Sequence, residues 1–347
     1  MFGKSGSLPK GGRGQNMSPS FHNQGGNPPV TEGALLSKIE TALDGALDDL
    51  DLDGSQSSVK REKYLWLAVE EFSEEGDEPI TYSWFKWGVS SLAGPGGEST
   101  SRTLSTDFSI AANLFQATHS QIKDFFVQGN HQMPLKEWWD AEFLEFLEEF
   151  YTHYAPEDYR QLYLTNIRLL KIIDDIEEAL NFRRSPARRA TYEDITDATK
   201  TLKKQVLRSD ALEDNYEYVN DFAQLLEDVV MMLVDIEGED IEQGHQTAIS
   251  ELEDFYRDEV WLMTAHSISI DTAEGPNKGD IYEWSSQNRD RLKASFEESL
   301  KKKKEICDAV GLLPGIQDYT GFETGDKNLD ETVDEFLKVA GGRSSHE

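Results

Sequence analysis

The chain has 347 residues, 66 acidic and 34 basic side chains, a formal net charge of −32 and 37% hydrophobic content. That length can bury a real core without disulfides or a structural metal, and the charge repels nucleic acid and anionic membranes over most of the surface. The single cysteine, Cys307, excludes an intrachain disulfide and any zinc site built from several cysteines, and is expected to be a small buried apolar residue.

The acids are scattered through the predicted helices and are not gathered in one tail. Two readings of the charge stand: a specialised acidic interaction protein, and adaptation to molar salt, which the even distribution favours. No apolar run approaches the roughly 20 residues that a membrane span needs, and the N-terminus lacks the apolar core of a signal peptide. A soluble, cytoplasmic protein is the expectation.

Residues 1–33 are rich in Gly, Ser, Pro and Asn and are expected to form a disordered, mildly basic tail with Lys4, Lys10 and Arg13. Residues 34–57 predict a short acidic amphipathic helix, with Leu36, Ile39, Leu43 and Leu47 on one face, an interruption at Gly45 and a linker behind it. The linker opens like a calcium loop at Asp49, Asp51 and Asp53. Its twelfth position, where a bidentate Glu belongs, is Lys60, so the stretch reads as an acidic helix end.

Residues 58–155 predict an aromatic-rich helical domain. Tyr64, Trp66, Phe72, Tyr82, Trp84, Phe85 and Trp87 crowd its start. Leu65, Leu67, Ala68 and Phe72 mark a helix face, with Gly76 as its stop and Pro79 as the restart. Ile80 to Trp87 reads as a short helix or aromatic turn closed by Gly88. A buried indole needs a partner for its N–H, so some rings are expected at a surface or groove. Trp66, Tyr82, Trp84 and Trp87 are the candidate partner-binding residues, with Trp84 and Trp87 the expected exposed ones.

Leu65 to Phe72, then Glu78-Pro79-Ile80-Thr81, then Trp84-Phe85-Lys86-Trp87-Gly88 resembles the pattern of an uncharacterised family of halophilic archaea. More distantly, it is similar to the start of the Panacea domain of antitoxins and phage-defence-associated proteins. The likeness is confined to residues 65–88. It departs where Asp77 and Glu78 separate Gly76 from Pro79, and where Val89 follows Gly88 in place of Pro. The resemblance implies an antitoxin-like or defence-linked role, in which one protein masks another.

Gly94-Pro95-Gly96-Gly97 lacks the Gly-Lys-Ser/Thr ending of a phosphate loop and reads as a connector. Phe108, Phe115, Ile122 and Phe125 predict one or two helices over 107–128, and Leu135 to Tyr154 a single aromatic helix behind Pro134.

Residues 156–311 predict a bundle of long helices or an extended hairpin. Pro156, Glu157 and Asp158 start one that runs to Asn181. Thr191 and Asp194 have the spacing of a capping box for the next, to Arg208. Asp210–Glu237 and Asp240–Ser267 predict an antiparallel pair turned at Gly238, and Ile281 to Val310 a last helix. Glu242 and His245 are half of a di-metal motif with no second copy. Residues 312–347 predict a loosely ordered tail.

Between Arg168 and Arg208 lie ten basic and seven acidic side chains. Arg183, Arg184, Arg188, Arg189, Lys203 and Lys204 are candidate anion-binding residues. The competing reading is internal pairing with the surplus carboxylates, and no aromatics interleave for base stacking. The expected fold is all-α, with no catalytic motif and no cofactor. A non-enzymatic protein-binding or regulatory role leads. Nucleic-acid binding through 183–208 is the alternative, and an all-α metalloenzyme built from carboxylates and His converging in space is the third.

Overall fold

Helical periodicity predicts an all-α chain, and helices carry the fold, joined among the described residues by two short antiparallel strand pairs. The structure, a computed structural model, describes residues 30–55, 57–73, 78–91, 109–110, 115–129, 131–182 and 188–315. Residues 1–29 of the expected disordered tail, the Gly76 stop, the Gly94–Gly97 connector and the C-terminal tail beyond 315 lie outside the described residues, while residues 30–33 of that tail are ordered, as a strand and the first turn of a helix.

Strand β1 (Val30–Thr31) leads into α1 (Glu32–Asp49), whose first free amides are capped by Thr31 Oγ1 accepting from Ala34 N at 3.2 Å. The helix runs through Gly45 without the expected interruption. Ala42, Leu43, Ala46 and Leu47 are buried on either side of it, and their packing outweighs the roughly 1 kcal/mol that Gly costs a helix. Helix α2 (Ser58–Phe72) follows.

The next segment is the main departure from the predicted elements. Ile80 to Trp87 is not helical: Tyr82–Phe85 (β2) and Gly88–Ser91 (β3) form an antiparallel hairpin, with Tyr82 opposite Ser91 and Phe85 opposite Gly88. Lys86 and Trp87 make the turn, and Gly88 closes it at φ 89°, a conformation that glycine adopts without strain. Both faces are buried, so the period-two alternation that marks a half-exposed strand is missing. Tyr82 and Trp84 face the aromatic core, where Trp84 stacks on Phe150 at 5.8 Å and meets Trp66 edge-on at 5.9 Å. Ser83 and Phe85 face the other way, onto Ser269 and His266.

Strand β4 (Ser109–Ile110) pairs with β1. Helix α3 (His119–Gln128) has a complete capping box between Thr118 and Gln121 and ends on Gly129 in the left-handed region. The single helix predicted over Leu135–Tyr154 is broken into α4 (Leu135–Trp138) and α5 (Phe143–Tyr154). A break frees backbone carbonyls. The buried Lys60 ammonium takes two of them, Trp139 O at 2.8 Å and Ala141 O at 2.5 Å, and Trp139 Nε1 donates to Asp53 O at 2.7 Å.

Helix α6 (Glu157–Asn181) matches its predicted span. Helix α7 spans Arg188–Arg208, so Thr191 lies inside it and does not cap it. After α8 (Tyr216–Leu233), α9 (Gln243–Phe255), a π-helical turn (Tyr256–Val260) and α10 (Trp261–Asp271) run on from one another. The predicted antiparallel pairing of 210–237 with 240–267 is present at the π turn and α10, where Phe222 stacks on Tyr256 at 4.9 Å and Asn215 Nδ2 donates to Ser267 Oγ at 2.9 Å; α8 also packs on α7, and α9 on α6 and on α11 (Lys278–Ala309). One buried cluster runs from Leu35 to Leu312 and crosses the 155/156 boundary between the two predicted domains.

Candidate functional site

The four candidate aromatics separate by burial. Trp66, Tyr82 and Trp84 are 8%, 6% and 4% exposed, in the core between α2, the hairpin and α5. This corrects the expectation that Trp84 is exposed: the indole is enclosed by Trp66, Phe150, Tyr151 and Tyr163. Trp87, at the hairpin tip, stays half-buried and lines a cleft of about 560 Å³.

The hairpin is held rigidly beneath that tip. Lys63 Nζ donates to Val89 O at 2.5 Å, and Glu62 Oε1 accepts from Ser91 N at 2.8 Å and Ser90 Oγ at 3.1 Å. Burial pushes the Lys63 ammonium down to about 8 against the pull of Glu62, and pushes the Glu62 carboxyl up against the pull of Lys63. From the opposite side Tyr163 OH donates to Phe85 O at 2.6 Å and Trp261 Nε1 to Lys86 O at 2.8 Å. Lys86 then reaches Asp258 at 2.8 Å, tying the tip to the π turn.

Trp87 meets Phe143 edge-on at 5.5 Å, at the head of α5. The far wall is α6, with Leu170, Asp174 and Asp175, the end of α9 with Glu253, and the π turn with Arg257. The π turn places Arg257 here. The extra residue per turn re-aims the side chains that follow it, a device common at binding sites. Arg257 pairs with Glu253 at 2.9 Å and Asp254 at 2.5 Å. Burial and the neighbouring Glu177 carboxylate push the Glu253 carboxyl up to about 7, with Arg257 opposing. A second cavity of about 300 Å³ continues along the same two helices, between Glu177 and Asn181 on α6 and Gln243 to Glu251 on α9. The two cavities follow one another along α6, the first with an aromatic wall and the second lined mainly by amides and hydroxyls.

The family model described as a domain of unknown function, DUF8098, matches residues 27–124 and 93–339. The chain belongs to this family. No curated protein and no solved structure matches it. The matched span of this DUF8098 member includes every residue of the groove and the hairpin.

The basic island is only partly at hand. Arg183 and Arg184 lie outside the described residues, and Arg188 and Arg189 open α7. Arg168 pairs with Asp197 at 2.6 Å, and Lys203 with Glu227 at 3.4 Å, while Lys204 is exposed. Glu242 and His245 close a capping box, His245 Nδ1 accepting from Glu242 N at 3.1 Å. Among the described residues no group of three His, Cys, Asp or Glu side chains gathers to hold a metal, and no helix is long and apolar enough to cross a membrane. Cys307 is 1% exposed, and burial pushes its thiol up to about 11.

Phe143, Asp174, Glu253 and Arg257 carried no functional signal in the sequence. Each reads as an ordinary helix residue, and only the helix pairing and the π turn bring them to Trp87.

Proposed function

We propose that the protein is a non-enzymatic binding protein that holds a segment of a protein partner in the groove beside Trp87. The observation that carries this reading is Trp87 itself. It is a half-buried indole on a hairpin locked from both sides, standing at the mouth of a cleft large enough for a peptide segment. Aromatic anchors of this kind dominate binding energy when a partner desolvates them. The resemblance of residues 65–88 to the Panacea domain supports a regulatory, antitoxin-like or defence-linked setting, in which the partner is masked. The test is retrieval from native lysate at native salt with the wild-type chain and with Trp87→Ala. A partner held by the wild type and lost from the variant is expected. A wild-type chain that stays monodisperse and retrieves nothing, or a partner retained equally by Trp87→Ala, sinks the reading.

A second reading is supported by Lys200, Lys204 and Arg208, exposed at i, i+4 and i+8 on α7. They make a basic stripe for nucleic-acid phosphates. Binding that falls steeply with salt, and is lost on Arg184→Glu with Arg189→Glu, is its signature; a flat salt response removes it.

A further inference from the structure

We infer that the segment held in the groove is a basic, extended peptide of a partner protein, with an arginine or lysine side chain seated between Trp87 and the carboxylates of α6 and α9. This rests on the reading of the groove as a partner-binding site and names the chemistry of its occupant.

Length comes first. The linings of the two cavities follow α6 in succession from Leu170 to Asn181. Eleven helical steps of 1.5 Å make about 16 Å, which an extended chain at about 3.3 Å per residue covers in roughly five residues.

Charge comes second. In the Trp87 half, the lining carboxylates are Glu142, Glu145, Asp174, Asp175 and Glu253, against Lys171 and Arg257. Both cations are already committed, Lys171 to Glu148 at 2.5 Å and Arg257 to Glu253 and Asp254. With Glu253 paired to Arg257, the excess charge is carried by Glu142, Glu145, Asp174 and Asp175 and is negative, so an anionic segment is repelled and a cationic one drawn in.

The aromatic end gives the charge a place to sit. A guanidinium or ammonium is attracted to an indole face, and Trp is the strongest of the aromatic acceptors. The Lys86 ammonium already lies 5.7 Å from the Trp87 ring centroid, so this ring holds a cation within the protein itself.

The experiment is a fluorescence-anisotropy titration of the full chain with a labelled Gly-Arg-Gly-Arg-Gly-Arg peptide. It is run at the lowest KCl concentration that keeps the far-UV circular dichroism spectrum folded. The matched Glu peptide and a neutral Leu-Ser peptide are titrated alongside. The expected result is saturable binding of the Arg peptide alone. Trp87→Leu should weaken it about threefold to fivefold, the loss of one exposed cation–π contact. Asp174→Asn with Glu253→Gln should weaken it tenfold or more. Glu297→Gln with Glu298→Gln, the same charge change on exposed positions of α11, should leave it within twofold. Equal weakening by the α11 pair means general attraction to an acidic surface and overturns the proposal. Binding of the neutral or Glu peptide that depends on Trp87 overturns the basic class while leaving the groove as a binding site. Failure of every peptide to respond to Trp87→Leu and to the groove substitutions removes the groove reading as well.

Discussion

Replacing Lys63 by Met is expected to destabilise the protein by about 3–5 kcal/mol, the cost of breaking one partner out of a buried ion pair. The Lys63 side chain is 2% exposed, its Nζ lies 3.9 Å from Glu62 Oε2, and it donates to Val89 O at 2.5 Å. At an effective dielectric near 20, unit charges at that separation attract by about 4 kcal/mol. Removing the ammonium also leaves Val89 O without its side-chain donor, costing about 1–3 kcal/mol. Met fills most of the space of the lysine stem, so little of the loss comes from a cavity. Glu62→Gln keeps an acceptor for Ser91 N, so the double variant should lose clearly less than the sum of the singles, with a coupling of about 2 kcal/mol. Urea unfolding at fixed KCl with linear extrapolation measures all three. The pH dependence adds a signature. The folded-state value of Lys63 is lowered to about 8 from 10.5, so between those values the unfolded chain binds the extra proton and wild-type stability rises with pH. Lys63→Met should lack that rise. A loss below about 1 kcal/mol for Lys63→Met, or strict additivity, refutes the idea that this pair holds the hairpin in place.

Gly275 sits at φ 93°, and a Cβ there would lie 2.3 Å from Ile80 O and 2.6 Å from Thr81 Cα. Gly275→Ala should cost about 3 kcal/mol or more, seen as a Tm drop of roughly 4 °C; an unchanged Tm means that the contact between the hairpin and this turn is loose. Glu253 has a folded-state value raised to about 7 from 4.5, so the stability it contributes is full below 4.5 and is lost as pH rises through 7. Glu253→Gln should therefore gain on the wild type by about 1 kcal/mol at pH 8 relative to pH 5, after allowing for solvent screening; a difference that does not change with pH contradicts this. With a net charge of −32, raising KCl from 0.1 M to 1 M cuts the Debye length from about 10 Å to about 3 Å, and Tm should climb. A flat or falling Tm removes the reading of the charge as adaptation to high salt.

Helices are legible in the residue pattern wherever burial falls on one side of them. In α6 the apolar residues recur at helical spacing, Pro156 starts the helix, and its described span agrees with that pattern. Where burial is two-sided or a distant group intervenes, local pattern misleads. The hairpin carries no alternation because α10 covers one face and the aromatic core the other. The helix predicted over 135–154 breaks because Lys60 and Asp53, more than 70 residues earlier, take up the groups the break exposes. Trp84 and Trp87 are three residues apart in similar surroundings of sequence, yet one is enclosed by four rings and the other faces a cleft. The groove belongs wholly to the tertiary structure. Trp87, Phe143, Asp174 and Arg257 come from four separate elements, and periodicity reports which side of a helix is apolar without reporting which other helix will meet it. That choice is made by side-chain packing and buried polar pairing across the whole chain, and it is what turns a scatter of acids and one indole into a place where a partner can sit.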